Sequence, residues 1–180
     1  MNVLVPIAHG SESLETITIV NLLRRAQFEV VVASIEIGLV VRGTRAIPLT
    51  ASALLEDVAA QNFDLIALPG GEEGAKALGR NDTLVHKLHR QRFDKRPYAA
   101  ICAAPAFVLA PNQLLDGMRA TCYPAFREQL SQYVDEPVVV DGLCTTSQGP
   151  ATAIAFTLSL IEGLAGAEKR DAVAKALLAA

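Results

Sequence analysis

The sequence predicts an α/β domain built on a mainly parallel sheet with helices on both faces. Short β-rich runs alternate with helical patterns from one end of the chain to the other. Those runs are apolar throughout rather than alternating, so each needs cover on both faces. At 180 residues, with no linker, repeat or low-complexity tract, the chain suits one full core, and a single domain over 1–180 is expected.

Residues 3–8 form a continuous apolar strand, and 12–27 a helix ending in Arg24-Arg25. Residues 30–35 are a second buried strand. Residues 39–42 read as a hairpin arm, and 46–50 are extended around Pro48. Thr50 or Ser52 is expected to cap a short helix reaching Ala60. Residues 65–68 are a buried strand ended by Pro69-Gly70-Gly71, and 82–92 a charged amphipathic helix. Tyr98 to Ile101 leads to Cys102, followed by an Ala-rich helix over 103–110. Beyond it come strands at 119–122, 138–140 and 143–146, a helix over 126–133, and C-terminal helices over 151–164 and 168–179.

A net charge of -3 gives no electrostatic footprint for nucleic acid or an anionic membrane. The chain opens directly into a strand, so no signal peptide is expected, and the apolar stretch 151–161 is too short to span a bilayer. Three widely spaced cysteines, Cys102, Cys122 and Cys144, fit a reducing cytosol better than a disulfide framework. Neither Cys-x-x-Cys nor His-x-x-x-His occurs, so no metal site is expected. Gly70 to Lys76 looks like a phosphate loop but fails its spacing, and Glu72-Glu73 would repel phosphate.

In sheets of this kind the functional crevice lies beyond the carboxyl ends of the strands. Three such ends carry chemistry: His9-Gly10, Pro69-Gly70-Gly71 and Cys102. A cysteine at a strand-to-helix junction faces unpaired N–H groups and the positive end of a helix dipole, which favour the thiolate. Glu15 falls in the first turn of the helix after the first strand, and near a thiolate its carboxyl would be pushed up by like-charge repulsion. Gly70 and Gly71 let backbone N–H groups approach a ligand, and with the N–H of Ala103 they are candidates for an oxyanion hole. Local sequence leaves both readings of Cys102 open, an activated nucleophile or a buried inert thiol. Glu15 reads equally as a surface residue complementing the dipole, and His9 as a plain loop histidine.

Taken together, Gly10 to Glu15, Pro69-Gly70-Gly71, Ala100 to Pro105 and Thr146-Ser147-Gln148-Gly149-Pro150 resemble the ThiJ/PfpI superfamily. Within it the chain is similar to the Parkinson-disease-associated deglycase and its bacterial YajL-like relatives, essentially end to end. The resemblance implies a flavodoxin-like α/β sandwich, a homodimer, and a nucleophile elbow at Cys102 partnered by Glu15, with Gly71 and Ala103 as the anion pocket. It implies a glyoxalase that needs no cofactor (methylglyoxal to lactate), deglycation of glyoxal adducts on proteins and nucleotides, and protection or chaperone action under oxidative stress. Small 2-oxoaldehydes or glycated macromolecules are then the partners. The alternative is a redox-responsive protein whose cysteine is oxidised to sulfenate and sulfinate.

One departure is visible. Many relatives carry histidine before the proline where this chain has Tyr123-Pro124, so a phenol, a poor base but a capable hydrogen-bond donor, replaces the imidazole as the auxiliary group. Acid–base work is therefore expected of Glu15. Ala103 stands where protease members carry histidine, which argues against peptide hydrolysis.

Overall fold

The computed structural model describes residues 1–179. In chain order the main elements are β1 (Asn2–Ile7), α1 (Ser13–Arg25), β2 (Glu29–Ser34), β3 (Val40–Arg42), β4 (Pro48–Thr50), β5 (Ala53–Leu54) and β6 (Leu65–Leu68). They continue with α2 (Glu72–Gly79), α3 (Asp82–Phe93), β7 (Tyr98–Ile101), β8 (Val138–Asp141), β9 (Cys144–Ser147), α4 (Ala153–Ala165) and α5 (Ala167–Ala176). Seven strands form one sheet in the order β5-β2-β1-β6-β7-β9-β8. All pairings are parallel except β8 on β9. β3 and β4 form a separate antiparallel hairpin.

The apolar runs sit where two-sided cover is available. Val3, Leu4, Val5 and Ile7 of β1, every residue of β6 and every residue of β7 are buried. α1, α4 and α5 pack together as one helical layer, and α2 packs on α3 and on β1. This is the flavodoxin-like sandwich expected. From β1 the chain crosses to β2 on one side and later returns to β6 on the other, so the order reverses between β1 and β6. Segments leaving two neighbouring strands at such a point diverge and open a crevice.

Five local expectations are corrected. No helix runs from Thr50 or Ser52 to Ala60. The Ser52 hydroxyl binds the backbone of Val32 instead of capping a helix, which draws β5 alongside β2, and only a 3₁₀ turn, Glu56–Val58, follows. The stretch that resembles a failed phosphate loop is α2. Its glycines hide the helix in the sequence, yet they serve contact: a Cβ on Gly74 would stand 2.5 Å from the Ser11 nitrogen. After Cys102 the backbone widens into a π-helical turn, Pro105–Leu109, with the Ala110 N–H donating to the Pro105 carbonyl at 2.9 Å. Residues 119–122 make no strand beyond a single bridge from Ala120 to Tyr133, and the helix near Phe126 is a 3₁₀ segment, Pro124–Gln129.

Gly74 separates propensity from packing. Alanine in a helix interior is favoured over glycine by about 1 kcal/mol, but here the methyl group would collide with the Ser11 backbone. Gly74→Ala is expected to lose about 1–3 kcal/mol, as overpacking does, and to melt at a lower temperature. A higher melting temperature would contradict the contact.

Candidate active site

β1, β6 and β7 are adjacent and parallel, so the segments leaving them arrive at one edge. The His9-Gly10 loop, Gly70-Gly71 and Cys102 therefore converge, as their order along the sequence required. Gly70 lies between the two reactive side chains. A Cβ placed on it would stand 2.5 Å from the Cys102 Cβ and 2.8 Å from Glu15 Oε2. No larger residue fits, which is why glycine is found there.

Cys102 sits on a sharp elbow. Its φ is 64°, the left-handed region that a non-glycine residue adopts only when its surroundings hold it there. Both of its backbone groups are held: its N–H donates to the Ser147 carbonyl at 2.9 Å, and its carbonyl accepts the Tyr123 N–H at 2.8 Å. The thiol lies by the N–H groups of Gly71 and Ala103, which favour its anion. Those are the two amides that the sequence nominates. Gly70, nominated with them, serves the acid instead, its N–H donating to Glu15 Oε2 at 2.8 Å.

Glu15 is not a surface residue of the helix start. Glu12 caps α1, accepting the Leu14 N–H at 3.0 Å, and Glu15 in the first turn points inward and is wholly buried. Its Oε2 is satisfied by Gly70, while its Oε1 is buried without a hydrogen-bond partner. The thiol of Cys102 is the group coupled to this carboxyl.

Burial dominates the electrostatics of the pair. Desolvation raises the Glu15 carboxyl from 4.5 to about 7, against the lowering effects of the Gly70 N–H and the Cys102 thiol. Desolvation likewise pushes the Cys102 thiol up to about 12, with the charge on Glu15 next in importance and the amides of Gly71 and Ala103 opposing both. Helix-end amides alone would depress the thiol, and burial overturns that expectation. Two groups coupled this closely ionise as a unit, once near neutrality and once far above it. Between those steps the pair holds one proton. That proton stays on the more strongly raised thiol, and the Glu15 carboxylate beside it is placed to take it when the sulfur attacks.

The loop carrying Glu15 is fixed from outside by the β3–β4 hairpin, which sequence reasoning does not connect to the site. Gly10 N–H donates to the Arg42 carbonyl at 2.8 Å and Thr44 N–H to the Ser11 carbonyl at 2.9 Å. Thr44 Oγ1 accepts the Ser13 N–H at 3.1 Å and donates to Glu12 Oε2 at 2.7 Å. His9 belongs to this clamp: its Nδ1 accepts the Arg42 N–H at 2.9 Å, and it makes no hydrogen bond to Cys102 or Glu15. Tyr123 is beside the elbow through its backbone and is 44% exposed. Ser147 stands out in the sequence only as part of a motif, and its carbonyl is the support of the elbow. Cys122 and Cys144 are buried thiols raised chiefly by desolvation, the charge of Asp141 adding to the rise at Cys144. Among the described residues no group of three or more metal-ligating side chains lies together.

The raised carboxyl has a stability consequence. The folded state keeps a proton on the pair up to about pH 7 that the unfolded chain releases near 4.5. Stability from this source is complete below about pH 4.5 and falls by about 3 kcal/mol as pH rises to 7. Glu15→Gln, which cannot ionise, is expected to melt several degrees above the parent at pH 8 and to lose that advantage at pH 4.5. An equal shift at both pH values would contradict the burial argument.

Comparison with known proteins gives a consistent result. The DJ-1/PfpI family model matches residues 1–163. The chain is 44% identical over 178 residues to "Protein DJ-1 homolog A" of Arabidopsis thaliana, covering 98% of this chain and 45% of that protein. It spans less than half the length of the two Arabidopsis relatives it matches. It is 41% identical to "Protein dj-1beta" of Drosophila melanogaster, covering 98% of this chain and 96% of that one. It is 32% identical to "Glutathione-independent glyoxalase DJR-1.2" of Caenorhabditis elegans, covering 93% of this chain and 90% of that one. Among solved structures, oxidized DJ-1 of Toxoplasma gondii superposes with a TM-score of 0.97 at 40% identity, covering 98% of this chain and 97% of that one. The fold, the elbow and these similarities agree that the chain belongs to the DJ-1/PfpI family.

Proposed function

We propose that the protein is a cofactor-independent glyoxalase that protects against carbonyl stress, acting on methylglyoxal and, by the same chemistry, on glyoxal adducts of proteins and nucleotides. One observation carries the reading: a strained, amide-supported Cys102 coupled to a buried Glu15. The relative named as a glutathione-independent glyoxalase supports it.

The chemistry needs a nucleophile and one proton carrier. The Cys102 thiol gives its proton to the Glu15 carboxylate as the sulfur adds to the aldehyde carbon, and the Glu15 O–H so formed passes that proton to the oxygen that becomes a hydroxyl. Amide hydrogens from Gly71 and Ala103 lie beside the sulfur, where negative charge develops on that oxygen. The Glu15 carboxylate then takes the hydrogen from the carbon now bonded to sulfur and delivers it to the neighbouring ketone oxygen, giving an enediol. Reprotonation at the second carbon leaves a thioester, and water releases lactate and the thiol. The aldehyde carbon is oxidised and the ketone carbon reduced, so methylglyoxal plus water balances lactate with no external redox partner.

A second reading rests on the same sulfur. Once its proton has passed to Glu15, the thiolate attacks peroxide to give sulfenate and water, and a further equivalent gives sulfinate. The similarity to a DJ-1 described as oxidized favours it, as does the contrast between Cys102, coupled to Glu15, and Cys122, raised by burial alone. Three free, buried cysteines support a reducing, cytosolic setting.

We also infer a homodimer. Leu14 and Ile17, one turn apart on α1, are each 53% exposed, and Ile17 borders a groove of about 720 Å³ between α1 and the hairpin that holds neither Cys102 nor Glu15. An apolar face of that kind calls for a partner. Light scattering is expected to give twice the chain mass, and Leu14→Glu combined with Ile17→Glu to halve it. A wild type of monomer mass would dismiss this inference.

Lactate formation from methylglyoxal is expected in the wild type, rising with pH through about 7 as the pair loses its first proton. Cys102→Ser and Glu15→Ala are each expected to lose at least about 100-fold in kcat/KM. Turnover that survives Cys102→Ser unchanged would eliminate the enzyme. Peroxide oxidation spread evenly over Cys102, Cys122 and Cys144, followed by mass spectrometry, would eliminate the sensor.

A further inference from the structure

We infer that Tyr123 is a specificity-determining residue: an aromatic wall beside Cys102 that favours 2-oxoaldehydes bearing a flat, aromatic substituent over methylglyoxal. This rests on the glyoxalase reading of the site.

The main chain of Tyr123 cannot leave the elbow. Its N–H donates to the Cys102 carbonyl at 2.8 Å, and its own carbonyl accepts the Phe126 N–H at 2.9 Å. The ring is held on two further sides. It lies over Gly149, where an added Cβ would come within 3.4 Å of its Cδ2. It also tilts against Phe126, with centroids 5.9 Å apart and planes at 47°. Phe126 in turn stands edge-on to Phe107 at 4.8 Å, and Phe107 belongs to the π-helical turn that follows Cys102. Gly149 lies two residues beyond Ser147, whose carbonyl supports the Cys102 N–H. The ring is thus framed by the two segments that build the elbow.

Tyr123 is nevertheless 44% exposed, and its hydroxyl makes no hydrogen bond to the protein among the described residues. A buried structural tyrosine, such as Tyr98 with its hydroxyl on the Leu114 carbonyl at 2.7 Å, behaves differently. A rigid, half-open aromatic surface on the residue that clasps the elbow gains most when a second ring covers it. The methyl group of methylglyoxal covers little of it, and a phenyl group covers much more.

The test compares kcat/KM for phenylglyoxal and methylglyoxal in the wild type, Tyr123→Ala and Tyr123→Phe. The ratio of the two values is expected to fall about 3- to 10-fold in Tyr123→Ala, the range of a lost aromatic pair, and to stay within about twofold in Tyr123→Phe. An unchanged ratio in Tyr123→Ala, with both substrates still turned over, overturns the inference and leaves the glyoxalase reading standing. If the wild type turns over neither substrate, the glyoxalase reading itself falls. Alkylation of Cys102 then decides the aromatic wall, using phenacyl chloride against chloroacetone and intact mass as the readout. Loss of the phenacyl preference in Tyr123→Ala supports the wall, and an identical preference in both proteins overturns it.

Discussion

One proton, shared by Cys102 and Glu15, is the constraint around which the rest of the structure is arranged. Neither group is comfortable alone. Burial disfavours both anions, and each charge opposes the other. Together they tolerate a single negative charge, and the remaining proton stays on the sulfur. A nucleophile and the base that takes its proton are thereby set side by side before any substrate arrives.

Keeping that pair together explains features that look unrelated along the chain. Gly70 is the spacer that lets the two side chains meet, and its amide fixes one oxygen of the acid. Cys102 adopts a strained φ because Ser147 and Tyr123 hold its backbone on both sides. The β3–β4 hairpin, outside the main sheet, clamps the loop that enters α1 through Arg42 and Thr44. The sheet supplies the frame, since the parallel neighbours β1, β6 and β7 must deliver their following segments to one edge. The groups are also unequal in depth: Glu15 is wholly sealed, while 9% of Cys102 remains exposed.

The architecture was legible because apolar runs such as 65–68 and 98–101 admit one environment, the interior of a parallel sheet. Convergence of Cys102, Gly70-Gly71 and the loop before Glu15 followed from that topology alone. The inward turn of Glu15 did not, because a first-turn glutamate satisfies the helix dipole equally well in solvent. Nor did α2, since Gly74 and Gly79 depress helix propensity for the sake of close backbone contact. The sense of the cysteine's shift was hidden for a different reason: dipoles and amides are visible in sequence, but depth of burial is not. The part of the hairpin was hidden as well, because its hold on the loop is made mostly by backbone groups that any residue type supplies.

The central claim is best tested by the ultraviolet absorbance of the thiolate, titrated with pH in the wild type and in Cys102→Ser to isolate the signal of this sulfur. The account expects Cys102 to stay a neutral thiol at pH 8, its absorbance appearing only far into the alkaline range. Absorbance with a midpoint near 7 would show that the sulfur and not the carboxylate carries the pair's first charge.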